Sequence, residues 1–186
     1  GGAGRWSLVK TGAGTTILTA ANAYTGDTTV KGGVLRVATA ASLGPVWWWG
    51  VSLEGGSIGT TIDTPANTVI NHRIDLFRGG IDVPKNPLIW SGNITGRGQL
   101  VKSGDGELLL TGENGYLGDT KVTGGRLRFN TNANLGAVGG VVTLNGGSIG
   151  TTIDTPSNTS IARGLDLISS GGIDVVKNPL IWSGNI

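Results

Sequence analysis

The chain of 186 residues contains 35 glycines and only 14% charged residues, which excludes a charged helical bundle. Because 38% of the residues are apolar and the net charge is only +2, the composition does not fit a disordered chain either. The absence of cysteine excludes disulfides and thiolate metal sites. There is no run of Lys or Arg, and no apolar stretch approaches the ~20 residues of a membrane span. We therefore expect neither a nucleic-acid partner nor membrane insertion of this segment.

In chain order, the predicted elements are short strands separated by Gly, Asn, Asp and Pro. Runs rich in β-branched residues lie at 15–19, 34–37, 51–54, 68–70 and 81–83. Several of them alternate apolar with polar residues, as a strand with one buried face does. Glycine pairs interrupt nearly every window that could form a helical stripe. The sequence therefore predicts an all-β fold.

The second half of the chain repeats the first. GGSIGTTIDTP occurs at 55–65 and 146–156, and KNPLIWSGNI occurs at 85–94 and 177–186. The offset of 92 residues slips to 91 across the middle of the repeat, where the first copy has one additional residue. We define repeat 1 as residues 1–94 and repeat 2 as residues 95–186, and expect the two to form one continuous solenoid.

A unit of this length is too long for a hairpin repeat, but it divides into coils with three short strands each. We expect coils of 18 to 27 residues that begin near Ser7, Val34, Thr60 and Ile81. This favours a right-handed parallel β-helix of about eight coils over an antiparallel sandwich, with a length of about 38 Å. We also expect Trp90 and Trp182 to point inward. One internal column is predicted to contain Leu8, Leu35, Ile62, Ile81, Leu100, Leu127, Ile153 and Ile173.

The segment 8–37 reads LVKTGAGTTILT, then AYTGDTTV, then GVLRV. It resembles the passenger-associated strand repeat of autotransporters, whose pattern runs roughly L-x-K-x-G-x-G-T-L-x-L, N-x-Y-x-G-x-T-x-V, G-x-L-x-V. Residues 100–129 match the pattern again, with Asn114 and Tyr116 in the N-x-Y positions. The resemblance implies a β-helix fold and export, and it carries no catalytic residues.

The resemblance also implies a place at the outer-membrane surface of a Gram-negative bacterium, outside the cell. We expect a structural stalk or adhesive segment that has no enzymatic activity and needs no cofactor or metal. The alternatives are a self-assembling filament subunit and, less favoured, a carbohydrate-active enzyme of the β-helix type. No signal peptide, membrane barrel or terminal cap is recognisable, so we expect a fragment of a longer array. Its expected partners are copies or adjoining repeats stacked end to end, and a surface protein or glycan of host or bacterium.

Few residues could support catalysis. His72 is the only histidine, and Arg163 occupies the matching position of repeat 2, so we expect a solvated surface residue rather than an acid–base catalyst. In repeat 1, Arg73, Asp82 and Lys85 form the one cluster worth testing for lyase-like chemistry.

Three aspartate pairs recur in register between the repeats. Stacked carboxylates could bind calcium, but the equivalents are separated by about four coils, roughly 19 Å. We therefore expect these side chains to cap turns instead. The pairs are Asp27 with Asp119, Asp63 with Asp154, and Asp82 with Asp174.

Trp47, Trp48 and Trp49 stand where repeat 2 has Gly139 and Gly140. Three consecutive indoles cannot all point inward from one strand, so at least one is expected to be exposed or packed on a neighbour. They are a candidate platform for a sugar or a protein. A lateral extension of the core beneath a loop, or an altered sequence at this point, explains them equally well.

Overall fold

The computed structural model describes residues 5–46 and 50–186, and the described part is built of nineteen short strands and two 3-10 segments. The 3-10 segments are Ala40–Leu43 and Asn132–Leu135. The first nine strands are β1 Leu8–Lys10, β2 Thr15–Leu18, β3 Thr28–Val30, β4 Val34–Val37, β5 Val51–Thr60, β6 Thr68–Ile70, β7 Ile74–Asp82, β8 Leu88–Trp90 and β9 Ile94–Gly96. The others are β10 Leu100–Ser103, β11 Glu107–Leu110, β12 Thr120–Val122, β13 Arg126–Phe129, β14 Val142–Leu144, β15 Ser148–Thr151, β16 Thr159–Ile161, β17 Leu165–Leu167, β18 Gly172–Asp174 and β19 Leu180–Trp182.

The strands stack in parallel, each hydrogen-bonded to the strand one coil further along the chain. The longest sheet runs β1-β3-β5-β7-β10-β12-β14-β17, so the predicted parallel β-helix of about eight coils is confirmed. The predicted strand runs are confirmed as β2, β4, the start of β5, β6 and the end of β7. No described segment forms an α-helix, and none is long and apolar enough to cross a membrane as a helix.

Each coil has three faces. In the third coil, β5 occupies the first two, because residues 51–53 pair with β3 and residues 57–60 pair with β4. The bend between the two parts lies at Gly55, whose φ of 145° is a conformation that favours glycine. β6 forms the third face, where it pairs with β8.

The coils begin elsewhere than predicted. On the first face, pairing links Leu8 to Thr28, Val51 to Ile74 and Ile74 to Ile94, which gives coils of 20 to 23 residues. The predicted starts near Val34, Thr60 and Ile81 were wrong, since β4, the end of β5 and the end of β7 lie on the second face.

The repeat period does not equal a whole number of coils. From Leu8, the first face recurs four times and reaches Ile94, and Leu100 follows six residues later. β10, the equivalent of β1, pairs with the second-face end of β7 through Lys102 and Ile81. The repeats are therefore offset by four coils and one strand, about four and one-third turns, and equivalent residues lie on adjacent faces.

This offset explains why the predicted single column was wrong. Leu8 belongs to the first face and Leu100 to the second, whereas Leu127 pairs with Leu108 and Ile149 on the third. The core instead consists of one apolar column for each face. The third-face column continues through fully buried residues that include the inward Trp90, and it contains Ile70, Trp90, Leu110 and Phe129.

Three members of the predicted column are exposed. Ile62 and Ile153 are 61% and 63% exposed, and Ile173 in β18 is 37% exposed. Ile62 lies at the tip of a turn, because the chain leaves β5 at Thr60 and the Thr64 hydroxyl accepts a hydrogen bond from the Thr61 amide at 3.0 Å. Trp182 is partly buried and packs against the core, as its predicted inward position requires.

Candidate binding surface

The candidate platform of Trp47, Trp48 and Trp49 lies outside the described residues, so its role stays a prediction. The described residues before it, Pro45 and Val46, are exposed, and β5 begins two residues after it, at Val51. Pro45 and Val46 form one edge of a surface cleft of about 440 Å³. This cleft, here called the His72 cleft, is lined by Asn22, Ala23, Ala40, Ala41, Gly44, Pro45, Val46 and His72.

His72 is not a solvated surface residue, and that expectation was wrong. Only 3% of the residue is exposed, and its Nε2 lies 3.1 Å from the carbonyl oxygen of Gly44. Because a carbonyl only accepts, Nε2 carries the proton and donates it, which leaves Nδ1 as an acceptor. Nδ1 is buried and has no hydrogen-bond partner among the described residues. Burial lowers the pKa of His72, and it outweighs the opposite effect of the hydrogen bond to Gly44.

At the equivalent position of repeat 2, Arg163 is also buried, but it is fully engaged. Its guanidinium donates five hydrogen bonds to backbone or side-chain oxygens of four residues. No carboxylate is among these acceptors, which are Asn132 Oδ1, Asn132 O, Gly136 O, Ala137 O and Gly140 O. The same interior position thus holds a satisfied arginine in repeat 2 and a partly satisfied histidine in repeat 1.

The structure does not bring together the candidate acid–base cluster. Arg73 pairs with Asp75 at 2.9 Å just before and within the start of β7. Asp82, at the opposite end of that strand, pairs with Arg36, and Lys85 is exposed. Among the described residues there is also no group of three or more histidines and carboxylates that could hold a metal ion.

The recurring aspartates have two different roles. Asp27 accepts from the Gly50 amide at 3.3 Å and Asp119 from the Val141 amide at 2.8 Å, so this pair bonds to the backbone of the next coil rather than capping its own turn as predicted. For Asp82 and Asp174 the capping prediction was also wrong, because both form ion pairs with arginines of other coils. Asp63 and Asp154 are exposed.

These ion pairs form ladders between coils that the sequence did not reveal. In repeat 2, Arg128 pairs with Glu107 of the preceding coil at 3.0 Å and with Asp174 two coils further along at 2.7 Å. In repeat 1, Arg36 donates to the Thr60 carbonyl and pairs with Asp82. The ladders fasten successive coils together on the outer surface.

Two buried lysines fasten the coils from within. The Lys102 ammonium donates to the carbonyls of Ser103, Gly104 and Gly124 at 2.8, 2.7 and 3.1 Å. Lys10 makes the equivalent set of bonds in repeat 1. Burial lowers the pKa of Lys102 to about 8, despite the opposing charges of Asp82 and Asp105. The lysine of the K-x-G motif is thus a structural clamp.

A second and larger groove, of about 640 Å³, lies on the outer surface of repeat 1. Its exposed apolar walls include Ile17 and Ile62, which are 55% and 61% exposed. At the position of Ala38 in this groove, repeat 2 has Asn130, whose amide oxygen accepts from Thr155 at 3.4 Å and also from Thr152. The outer surfaces of the two repeats therefore differ in shape at this position, although the coil framework beneath is the same.

Comparison with known proteins agrees with the repeat geometry. Residues 8–37 and 100–129 each match the model of the Passenger-associated-transport-repeat. A stretch of 82 residues, 44% of this chain, is 42% identical to the Adhesin BmaC autotransporter of Brucella suis biovar 1 (strain 1330). The match spans 2% of that protein's length. No solved structure matches significantly. The resemblance to autotransporter passengers is confirmed.

Sequence reasoning missed the His72 cleft. The signal that could have revealed it is the exchange of His72 for Arg163 at one repeat position. A polar residue at the same position of both repeats indicates an interior site lined by hydrogen-bond acceptors. A position on the solvated surface would not need a polar residue in both repeats.

Proposed function

We propose that this chain, which carries two passenger-associated-transport repeats on a parallel β-helix, is an adhesive segment of an exported bacterial surface protein. The observation that carries the proposal is the coincidence of both repeats with the stacked coils, together with the similarity to an autotransporter adhesin. The proposed location is the outer-membrane surface of a Gram-negative bacterium.

The surface of the rod supports an adhesive role. Large apolar side chains are exposed on several coils, among them Phe77, Leu117 and Val138 at 62, 63 and 80%. Such side chains on a rigid backbone lose little conformational entropy on binding. The proposal involves no catalysis, since Arg73, Asp82 and Lys85 are engaged or placed apart.

Surface display tests the adhesive role. The 186-residue segment is fused to a carrier barrel in a non-adherent Gram-negative strain, and attachment to epithelial monolayers and matrix-coated plates is counted. We expect attachment well above that of the carrier alone. The control is the same fusion with Gly80→Ala, which we expect to disturb the coil stack and to lose attachment. Attachment equal to that of the empty carrier, with the segment folded and exposed, contradicts the proposal.

The absence of enzymatic activity is tested separately. We expect the purified chain to leave a panel of acidic and neutral polysaccharides uncleaved. Cleavage that is lost in His72→Ala or Lys85→Ala, with the β-sheet signal retained, would instead establish the enzyme alternative.

Further coils, from adjoining repeats or other copies, are the proposed partners at the outer strand edges. β18 and β19 each pair with one strand of the described chain, and Ile181 of β19 is 48% exposed. Unpaired strand edges template pairing with another chain. We expect the purified chain to associate as its concentration rises, as measured by light scattering. A monodisperse monomer at high concentration would contradict end-to-end stacking while leaving the adhesive role intact.

A further inference from the structure

We propose that the His72 cleft of repeat 1 binds a guanidinium group, supplied by an arginine side chain of a partner protein. The proposal rests on the adhesive function only for the source of that arginine. The site itself follows from a comparison of the two repeats at one interior position.

Repeat 2 shows what this position is built to hold. Around Arg163, the turn after β13 presents its carbonyls inward, and Gly136 O and Ala137 O accept from the guanidinium at 2.6 and 2.7 Å. The Asn132 side chain accepts from Nε at 2.8 Å. A planar group with donors only is therefore the complement of this ring of acceptors.

Repeat 1 keeps the same turn, but the shorter side chain of His72 stands where repeat 2 has Arg163. Gly44 is the equivalent of Gly136, and Nε2 of His72 takes the place of one guanidinium nitrogen by donating to its carbonyl. Asn132, however, is replaced by Ala40, and the remaining contacts of the arginine have no counterpart on the shorter imidazole. The cleft of about 440 Å³ opens at this place, and both Ala40 and His72 line it.

His72 lines the cleft, and its Nδ1 is a buried acceptor without a partner among the described residues. It is a buried nitrogen on a residue that is 3% exposed, and a buried polar atom without a partner has a free-energy cost that a ligand donor would remove. Because burial lowers the pKa of His72, the imidazole is neutral at pH 7 and does not repel a cation. Apolar walls from Ala23, Ala41 and Val46 suit the weakly hydrated faces of a guanidinium.

Histidine labelling gives a direct test, because His72 is the only histidine of the chain. The chain is labelled with ¹⁵N-histidine and titrated with Nα-acetyl-arginine-amide, and the imidazole nitrogen signals are followed by NMR. We expect a saturable shift of the Nδ1 signal with a dissociation constant in the millimolar range, as suits a ligand of this size. Nα-acetyl-citrulline-amide is the uncharged control of the same shape, and we expect it to bind at least tenfold more weakly.

Two variants place residues of repeat 2 in the cleft. Ala40→Asn keeps His72 as the probe and restores the acceptor that Asn132 offers to the guanidinium in repeat 2, and we expect it to strengthen arginine binding at least fivefold. His72→Arg should abolish binding, measured by calorimetry since the label is lost, and it should fold because Arg163 occupies the equivalent position. A peptide with one arginine should compete with the probe.

The proposal is overturned if the arginine probe causes no saturable shift, if citrulline binds equally well, or if Ala40→Asn does not raise the affinity. It is also overturned if a methyl glycoside shifts Nδ1 while the arginine probe does not, because the cleft then takes a sugar hydroxyl. These outcomes differ from failure of the adhesive role. If the displayed segment attaches but the cleft does not bind arginine, the adhesive surface lies elsewhere on the rod. If the cleft binds arginine but the segment does not attach, the binding site stands and the adhesive role fails.

Discussion

Repeat 1 and repeat 2 share segments that are identical in sequence, yet they differ at the position of His72 and Arg163. In repeat 2 the interior is closed by a guanidinium with five hydrogen bonds. In repeat 1 an imidazole makes one hydrogen bond and leaves a cleft. The coil framework tolerates this exchange because neighbouring coils are joined mainly by backbone hydrogen bonds, which do not depend on the side chain. A solenoid of this kind can thus change its surface from repeat to repeat at constant architecture.

The offset of about four and one-third turns adds a second difference between the repeats. Because equivalent residues lie on adjacent faces, a side chain presented by repeat 1 on one side of the rod is presented by repeat 2 on the next. Lys10 and Lys102 illustrate this, since Lys10 pairs with Val30 on the first face and Lys102 with Ile81 on the second. Equivalent residues of the two repeats therefore lie at different positions around the axis of the rod.

The largest effect is expected from a glycine that separates two coils. In Gly80→Ala the new methyl group would lie 1.9 Å from the Val101 carbonyl oxygen of the next coil, so the backbone must move apart. We expect a loss of about 3 kcal/mol or more in the free energy of unfolding, measured in urea. At the equivalent Gly172 no atom lies within 4 Å, and Gly172→Ala should change stability by less than about 0.5 kcal/mol. Equal effects at the two positions would contradict the coil packing.

Removing a lysine clamp should have the next largest effect. Lys102→Met leaves the carbonyls of Ser103, Gly104 and Gly124 without their donor in the interior, and we expect a loss of about 2–3 kcal/mol. Lys10→Met should cost about 1 kcal/mol, because Lys10 is 7% exposed and water can reach its carbonyls more easily. Urea unfolding of the two variants side by side measures the difference. A larger loss in Lys10→Met would contradict the account.

Replacing Arg163 by the histidine found at the equivalent position of repeat 1 should test what the guanidinium contributes to stability. Arg163→His removes four of the five hydrogen bonds if the imidazole repeats the geometry of His72, and we expect a loss of about 2 kcal/mol. The thermal midpoint should fall accordingly, and Nα-acetyl-arginine-amide should restore part of it. A variant as stable as the original chain would show that the guanidinium contacts contribute nothing.

The pH dependence of the Lys102 clamp should be the smallest effect. The pKa of Lys102 is lowered to about 8 from 10.5, so between these pH values the unfolded chain binds more protons than the folded chain. The free energy of unfolding of the original chain should therefore rise with pH in this window relative to Lys102→Met, by no more than about 1.4 kcal/mol per pH unit. Urea unfolding at pH 8.5 and pH 9.5, one unit apart within this window, measures this difference. A relative loss on raising the pH would show that the sign of the shift is wrong.

The sequence predicted the fold well because coil architecture has local signals. Glycine-punctuated runs such as Thr15–Leu18 predicted the strands, and Trp90 was placed correctly inside. The face on which each repeat begins could not be predicted. The period of 92 residues does not show where one coil of 20 to 23 residues ends and the next begins. The pairing of Arg36 with Asp82 also has no local signal, since two coils of packing bring these residues together.

The most direct test of the offset between the repeats is a cysteine cross-link, since the chain has no cysteine of its own. Ser103 pairs with Asp82 in the ladder between β10 and β7, where neighbouring strands lie about 4.8 Å apart, within the range that a disulfide spans. We predict that Asp82→Cys with Ser103→Cys forms an intramolecular disulfide under mild oxidation and that Phe77→Cys with Ser103→Cys does not. A whole-number offset of four coils would place Ser103 beside Phe77 on the first face. Cross-linking of the Phe77 pair, and not of the Asp82 pair, would therefore contradict the arrangement of the two repeats described above.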